Sequence, residues 1–115
     1  MATELWFNPR CSKCRQALEL LEAADVQPEL YLYLETGPSR ERIEALLAML
    51  VPSDPIAILR RKEALFASLG LADASRDARI DAMVAHPELI ERPILIHENR
   101  AIVARPPELV HELLR

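Results

Sequence analysis

The hydrophobic period of this chain changes twice within its first 34 residues, and nothing else in it restricts the fold so strongly. Glu4 to Phe7 reads as a short strand, Asn8-Pro9 punctuates it, and a helix begins near Cys11. In that helix Cys14, Ala17, Leu18, Leu21 and Ala24 recur at i, i+3, i+4, i+7 spacing, while Lys13, Gln16, Glu19 and Glu22 fall elsewhere. One face is therefore expected to be buried. Pro28 precedes LYLYL, residues 30 to 34, an alternation expected to form a strand covered on both sides. Two parallel strands joined by a helix are the economical topology.

The middle of the chain changes character. Ser39 is a candidate N-cap for a helix carrying Ile43, Leu46, Leu47 and Leu50. Asp54-Pro55 reads as N-cap and first residue of a second helix closed by Gly70, and Ser75 opens a third with Ile80, Met83 and Val84. His86-Pro87 ends the helical run, because a residue before proline is pushed out of the α region. Strands return at residues 94 to 96 and 101 to 104, joined through His97-Glu98-Asn99-Arg100 as an antiparallel hairpin. Pro106-Pro107 starts a last helix bearing Leu109, Val110, Leu113 and Leu114. The expectation is an α/β fold with a mixed four-stranded sheet, in which a helical insert of about residues 38–90 separates a β-α-β half from a β-β-α half. With 115 residues, half of them hydrophobic, and no long linker, residues 1–115 are expected to form one domain and a monomer.

Charge and composition exclude several roles. A net charge of −4 gives no global basic field for nucleic acid or anionic membrane. No apolar run reaches the roughly 18 residues of a membrane span, and MATELWF lacks the pattern of a secretory leader. A cytoplasmic protein with neither nucleic-acid nor membrane partner is expected. In a reducing compartment the two cysteines point to redox or catalytic work before a structural disulfide.

Those cysteines lie three apart in FNPRCSKCR, with Arg10, Lys13 and Arg15 around them. The thiolate is the reactive form, and a helix N-terminus with neighbouring cations lowers a thiol's pKa. Cys11 sits where that happens, and free N–H groups of the same turn can hold an anion. Cys14, one turn on and within the apolar stripe, is expected to be less exposed, either as a resolving partner or as a small core residue. One C-x-x-C supplies only two metal ligands, and His86, His97 and His111 lack paired spacing, so no metal site and no bound cofactor are expected.

FNPRCSKCR, followed in order by LYLYLE, AILRRKEALF, HPELIERPILI and ARPPE, resembles the thioredoxin-fold arsenate reductases that work with glutathione and glutaredoxin. The resemblance runs from Leu5 to Leu114 and includes the helical insert. It implies that Cys11 is the nucleophile, that Arg60, Arg92 and Arg105 hold the oxyanion, and that Pro93 is a cis proline beside the thiol. Asn8, Ser12 and Cys14 are implied as supporting residues. Planar, permanently charged guanidinium groups suit a tetrahedral oxyanion. The implied cycle begins when Cys11 thiolate displaces water or hydroxide from arsenate. Glutathione attacks the adduct, and glutaredoxin reduces the mixed species so that arsenite is released.

Two positions depart from that pattern. Phe7 stands where members of the family often carry histidine, and Cys14 where they commonly carry another residue. The C-x-x-C is similar to that of the Spx transcription regulators, which share the fold and bind RNA polymerase under redox control. A general thiol-disulfide oxidoreductase using the cysteine pair itself is a third reading, though it leaves the three arginines without work.

Overall fold

A computed structural model describes residues 3–115; Met1 and Ala2, which open MATELWF, lie outside the described residues. The chain divides into two compact units, one built from the segment up to Glu35 together with Arg92–Arg115, the other from Thr36–Glu91.

The first unit holds the sheet. Strands β1 (Thr3–Trp6), β2 (Glu29–Tyr31), β3 (Ile94–His97) and β4 (Arg100–Val103) lie in the order β2-β1-β3-β4. The β1–β2 pair is parallel, with Leu5 opposite Leu30, and is crossed over by helix α1 (Ser12–Ala23). The other pairs are antiparallel, with Leu5 opposite Leu95 and Ile94 opposite Val103. The β3–β4 turn places Glu98 and Asn99 at φ of 50° and 67°. A two-residue hairpin of type I′ requires two left-handed residues, and asparagine tolerates that region well.

Because side chains alternate along a strand, Leu5 and Phe7 share one face, and Leu95 extends it across β3. Against this face α1 sets Cys14, Ala17 and Leu21, one helical stripe of buried residues. The C-terminal segment closes the cluster with Val110 and Leu113 of α6 (Val110–Leu113), which follows a 3₁₀ turn at Pro107–Leu109. Arg100 donates from Nη2 to the Leu113 carbonyl at 2.9 Å, satisfying an acceptor at the helix end. On the opposite face Trp6 is fully buried, edge-on to Tyr31 at 4.8 Å and stacked with Tyr33 at 6.1 Å.

The LYLYL expectation is corrected here. Only Leu30 and Tyr31 of that run belong to β2, and Tyr33 begins the short helix α2 (Tyr33–Thr36). Nor is the strand covered on both sides: β2 is a sheet edge and Leu30 is 40% exposed. Burial of the Tyr33 ring overrides the strand propensity of the run.

In the second unit, α3 (Arg40–Ala48) is capped by Ser39, whose Oγ accepts from the Arg42 N–H at 3.1 Å. Helix α5 (Arg76–Ala85) is capped by Ser75, which accepts from the Ala78 N–H at 3.1 Å. Ile43, Leu46, Leu47, Ile80 and Met83 are buried, whereas Val84, expected among them, is exposed. Arg40 pairs with Asp77 and Asp81, and Arg76 with Glu44, tying α3 to α5 across their exposed sides. The single helix expected from Asp54 to Gly70 is a second correction. It is a 3₁₀ turn at Pro55–Ile58, an extended break at Leu59, and helix α4 (Ala64–Ser68). Leu59 bridges Ile90, while the Arg60 N–H donates to the Leu89 carbonyl at 2.8 Å and the Glu91 N–H to the Ile58 carbonyl at 2.7 Å. These bonds to a remote segment take the backbone groups that a helix would have used. Among the described residues, no helix is long and apolar enough to cross a membrane.

Candidate active site

The turn between β1 and α1 is built from its own short-range bonds. Asn8 accepts from the Arg10 N–H through Oδ1 at 3.0 Å, and its carbonyl accepts from the Cys11 N–H at 2.9 Å. Arg15, a turn into α1, donates from Nη1 to the Pro9 carbonyl at 2.8 Å. The loop is thus clamped to the helix it precedes. Cys11 is the N-cap residue, with extended φ and ψ of −92° and 120°, and Ser12 is the exposed first residue of the helix.

The cap position governs the chemistry of Cys11. Partial burial by itself raises the thiol's pKa, yet the net displacement is downward. The N–H of Cys14, the Cys14 thiol, the N–H of Lys13 and the charge of Arg92 together outweigh burial. The Cys11 side chain makes no cap hydrogen bond of conventional geometry. The N–H dipoles instead act on the sulfur when it is charged. Arg92 is the leading cation, not the flanking Arg10, Lys13 and Arg15 that sequence proximity suggested. Arg15 directs its guanidinium to the Pro9 carbonyl instead.

Cys14 has the opposite character. It is fully buried in the α1 stripe, and burial, reinforced by the negative charge of Cys11, pushes its thiol up to about 12. At neutral pH it is therefore an S–H donor toward the Cys11 anion. Both cysteines are free thiols.

Arg92 and Arg105 come together at the ends of β3 and β4. The Arg105 Nη1 donates to the Arg92 carbonyl at 2.8 Å, and the Ala104 N–H donates to the Pro93 carbonyl at 2.9 Å. The Arg92–Pro93 bond is cis, as the resemblance implied, and so is Arg105–Pro106, which sequence reasoning did not single out. Arg60 belongs to the second unit, in the stretch after Leu59. Its guanidinium donates to the Glu88 carbonyl at 3.3 Å and pairs with Glu63 at 3.4 Å, and it lies between the 3₁₀ turn and α4, where the helix expected from Asp54 to Gly70 is broken. The Arg15 clamp was also missed; the i to i+6 separation from Pro9 carries no motif. Among the described residues, no cluster of three or more His, Cys, Asp or Glu side chains is placed to hold a metal ion.

A β-α-β and β-β-α sheet with an acidified cysteine at the first helix cap and a cis proline opening β3 defines a thiol protein of thioredoxin-like fold. The match to known proteins is narrower. The model of the ArsC family covers residues 6–113, and the chain belongs to that family of arsenate reductases and their relatives. It is 38% identical over 116 residues to the arsenate reductase of Haemophilus influenzae, covering 99% of this chain and 100% of that one. It is also 42% identical over 113 residues to the uncharacterized protein YfgD of Escherichia coli, covering 96% and 95%. The solved arsenate reductase from Vibrio cholerae superposes with a TM-score of 0.93 at 43% identity, covering 98% of each chain.

Proposed function

We propose that this chain is an arsenate reductase that takes its electrons from glutathione and glutaredoxin. The observation that carries the reading is the pairing of a lowered Cys11 thiol with the charge of Arg92, at a helix N-cap able to receive an anion. Cys11 thiolate attacks arsenic, and a water or hydroxide leaves. Glutathione attacks the adduct, and glutaredoxin reduces the mixed species as arsenite departs. Arsenic gains two electrons, glutathione and glutaredoxin end joined as a disulfide, and the lost oxygen leaves as water.

Arg92 and Arg105 are assigned to oxyanion binding and to stabilising the charge that develops during attack. Arg60 is assigned as a third guanidinium on the family resemblance. Asn8 and Ser12 shape the receiving turn, and Pro93 fixes the backbone where β3 begins. Coupled turnover tests the reading: purified reduced protein with arsenate, glutathione, glutaredoxin, glutathione reductase and NADPH. The proposal requires arsenate-dependent NADPH oxidation that vanishes in Cys11→Ser. A rate equal to the enzyme-free blank rejects it.

A further inference from the structure

Beside the Cys11 turn, and wholly within the sheet-bearing unit, a groove of about 390 Å³ opens between residues 7–10 and the segment that follows β2. Its size falls in the range of small-molecule sites. Phe7 and Leu32 form apolar walls, and Leu34 is an apolar side chain left 42% exposed at the same groove. Arg10 and Glu35 also line it, one from each side. Among the described residues neither the Arg10 guanidinium nor the Glu35 carboxylate has a hydrogen-bond or ion-pair partner, and the two do not pair with each other. Opposite charges flanking an apolar trough complement a ligand that has its own carboxylate and ammonium, separated by methylene groups.

We infer that this groove is the docking subsite for the reducing thiol, a small peptide thiol of the chemistry of glutathione. The inference rests on the proposed reductase reading and adds where its second substrate binds. Arg10 receives a carboxylate of the peptide, Glu35 its ammonium, and the apolar walls its methylene stems. The wall formed by residues 8–10 and the nucleophile belong to one turn, since the Cys11 N–H is bonded to the Asn8 carbonyl. Arg10 directly precedes Cys11 in the chain, so a thiol carried along that wall is delivered to the turn that holds the nucleophile. Phe7, the residue that departs from the family pattern, thereby has a use as an apolar wall of the groove.

The test uses S-methylglutathione, a thioether that binds as the peptide does and cannot react, added to the reduced full chain without arsenate. Amide chemical shifts are expected to move at Phe7, Asn8, Arg10 and Leu32 to Glu35. Glu35→Lys and Arg10→Glu, each checked for an intact spectrum, are expected to weaken binding about tenfold, the effect of one charge-assisted bond. In turnover, Glu35→Lys is expected to raise KM for glutathione about as much while leaving KM for arsenate unchanged. Shifts centred instead on Arg92 to Ile94 or Ala104 to Pro107, affinity unmoved by both charge reversals, or no binding at all would overturn the subsite. Groove binding by a protein that never reduces arsenate would support the subsite and count against the reductase reading alone.

Discussion

Replacing Cys14 by alanine should make Cys11 a weaker acid although Cys14 is not the nucleophile. In the native site the Cys14 thiol, held neutral by burial, is among the groups that lower the Cys11 pKa, as an S–H able to donate to the charged sulfur. A hydrogen bond to a charged group contributes about 1.5–3 kcal/mol, and a thiol donor beside a partly exposed sulfur belongs at the weak end. About 1.4 kcal/mol is a factor of ten in an equilibrium constant, so on the acid side of the titration Cys14→Ala should hold about tenfold less thiolate. The remaining thiolate is more basic and intrinsically more nucleophilic, with a Brønsted slope near 0.4–0.5, which returns about threefold of the loss. Ultraviolet thiolate absorbance should therefore fall about tenfold, while iodoacetamide alkylation at about pH 6 slows only about threefold. Cys14→Ser keeps a donor and should stay within about twofold of wild type in both assays. If alanine and serine behave alike, or if alanine leaves the absorbance unchanged, the Cys14 thiol does not support the Cys11 anion.

Other consequences follow from the same geometry. Since the native Cys11 value lies below that of the unfolded chain, its contribution to stability is present above the unfolded value and is lost as pH falls through the native one. The acid limb of kcat/KM for arsenate should accordingly lie below the free-thiol range, and a limb at or above about 8.5 would show that burial dominates. Arg105→Ala removes the donor to the Arg92 carbonyl and one guanidinium from the site; arsenate use should drop about 10- to 100-fold, with partial recovery in Arg105→Lys and little change in thermal stability. Ser39→Ala and Ser75→Ala should each cost about 1 kcal/mol in denaturant unfolding.

The order of strands and helices was readable because the decisive signals are local. Asn8-Pro9 before an apolar stripe, Ser39 and Ser75 three residues ahead of the N–H groups they cap, and Glu98-Asn99 between two apolar runs each report the backbone beside them. What was misread depends on distant partners. Nothing near LYLYL states that β2 is an edge or that Tyr33 will be buried. Nothing near Leu59 announces the bridge to Ile90 that breaks the expected helix.

The site divides along the same line. Cys11 was legible from its cap position, whereas its leading cation was not, since Arg92 is 81 residues away in sequence while Arg10, Lys13 and Arg15 flank the thiol. Arg92, Arg105 and Pro93 entered through the ordered motifs of a family resemblance. Their coming together at the ends of β3 and β4 is a property of strand register. Cys14 joins both kinds of signal, for its stripe position foretold burial but not its role as a neutral donor.

The most direct measurement of the central claim, that the Cys11 thiolate attacks arsenate, is to trap the adduct with glutaredoxin withheld. Reduced protein is mixed with arsenate and glutathione, quenched in acid, and mapped by peptide mass spectrometry. The account predicts a glutathione-containing adduct on Cys11 that forms only when arsenate is present and is absent from Cys11→Ser. An adduct of equal yield without arsenate, one located on Cys14, or an arsenate-driven Cys11–Cys14 disulfide with no glutathione attached would contradict it.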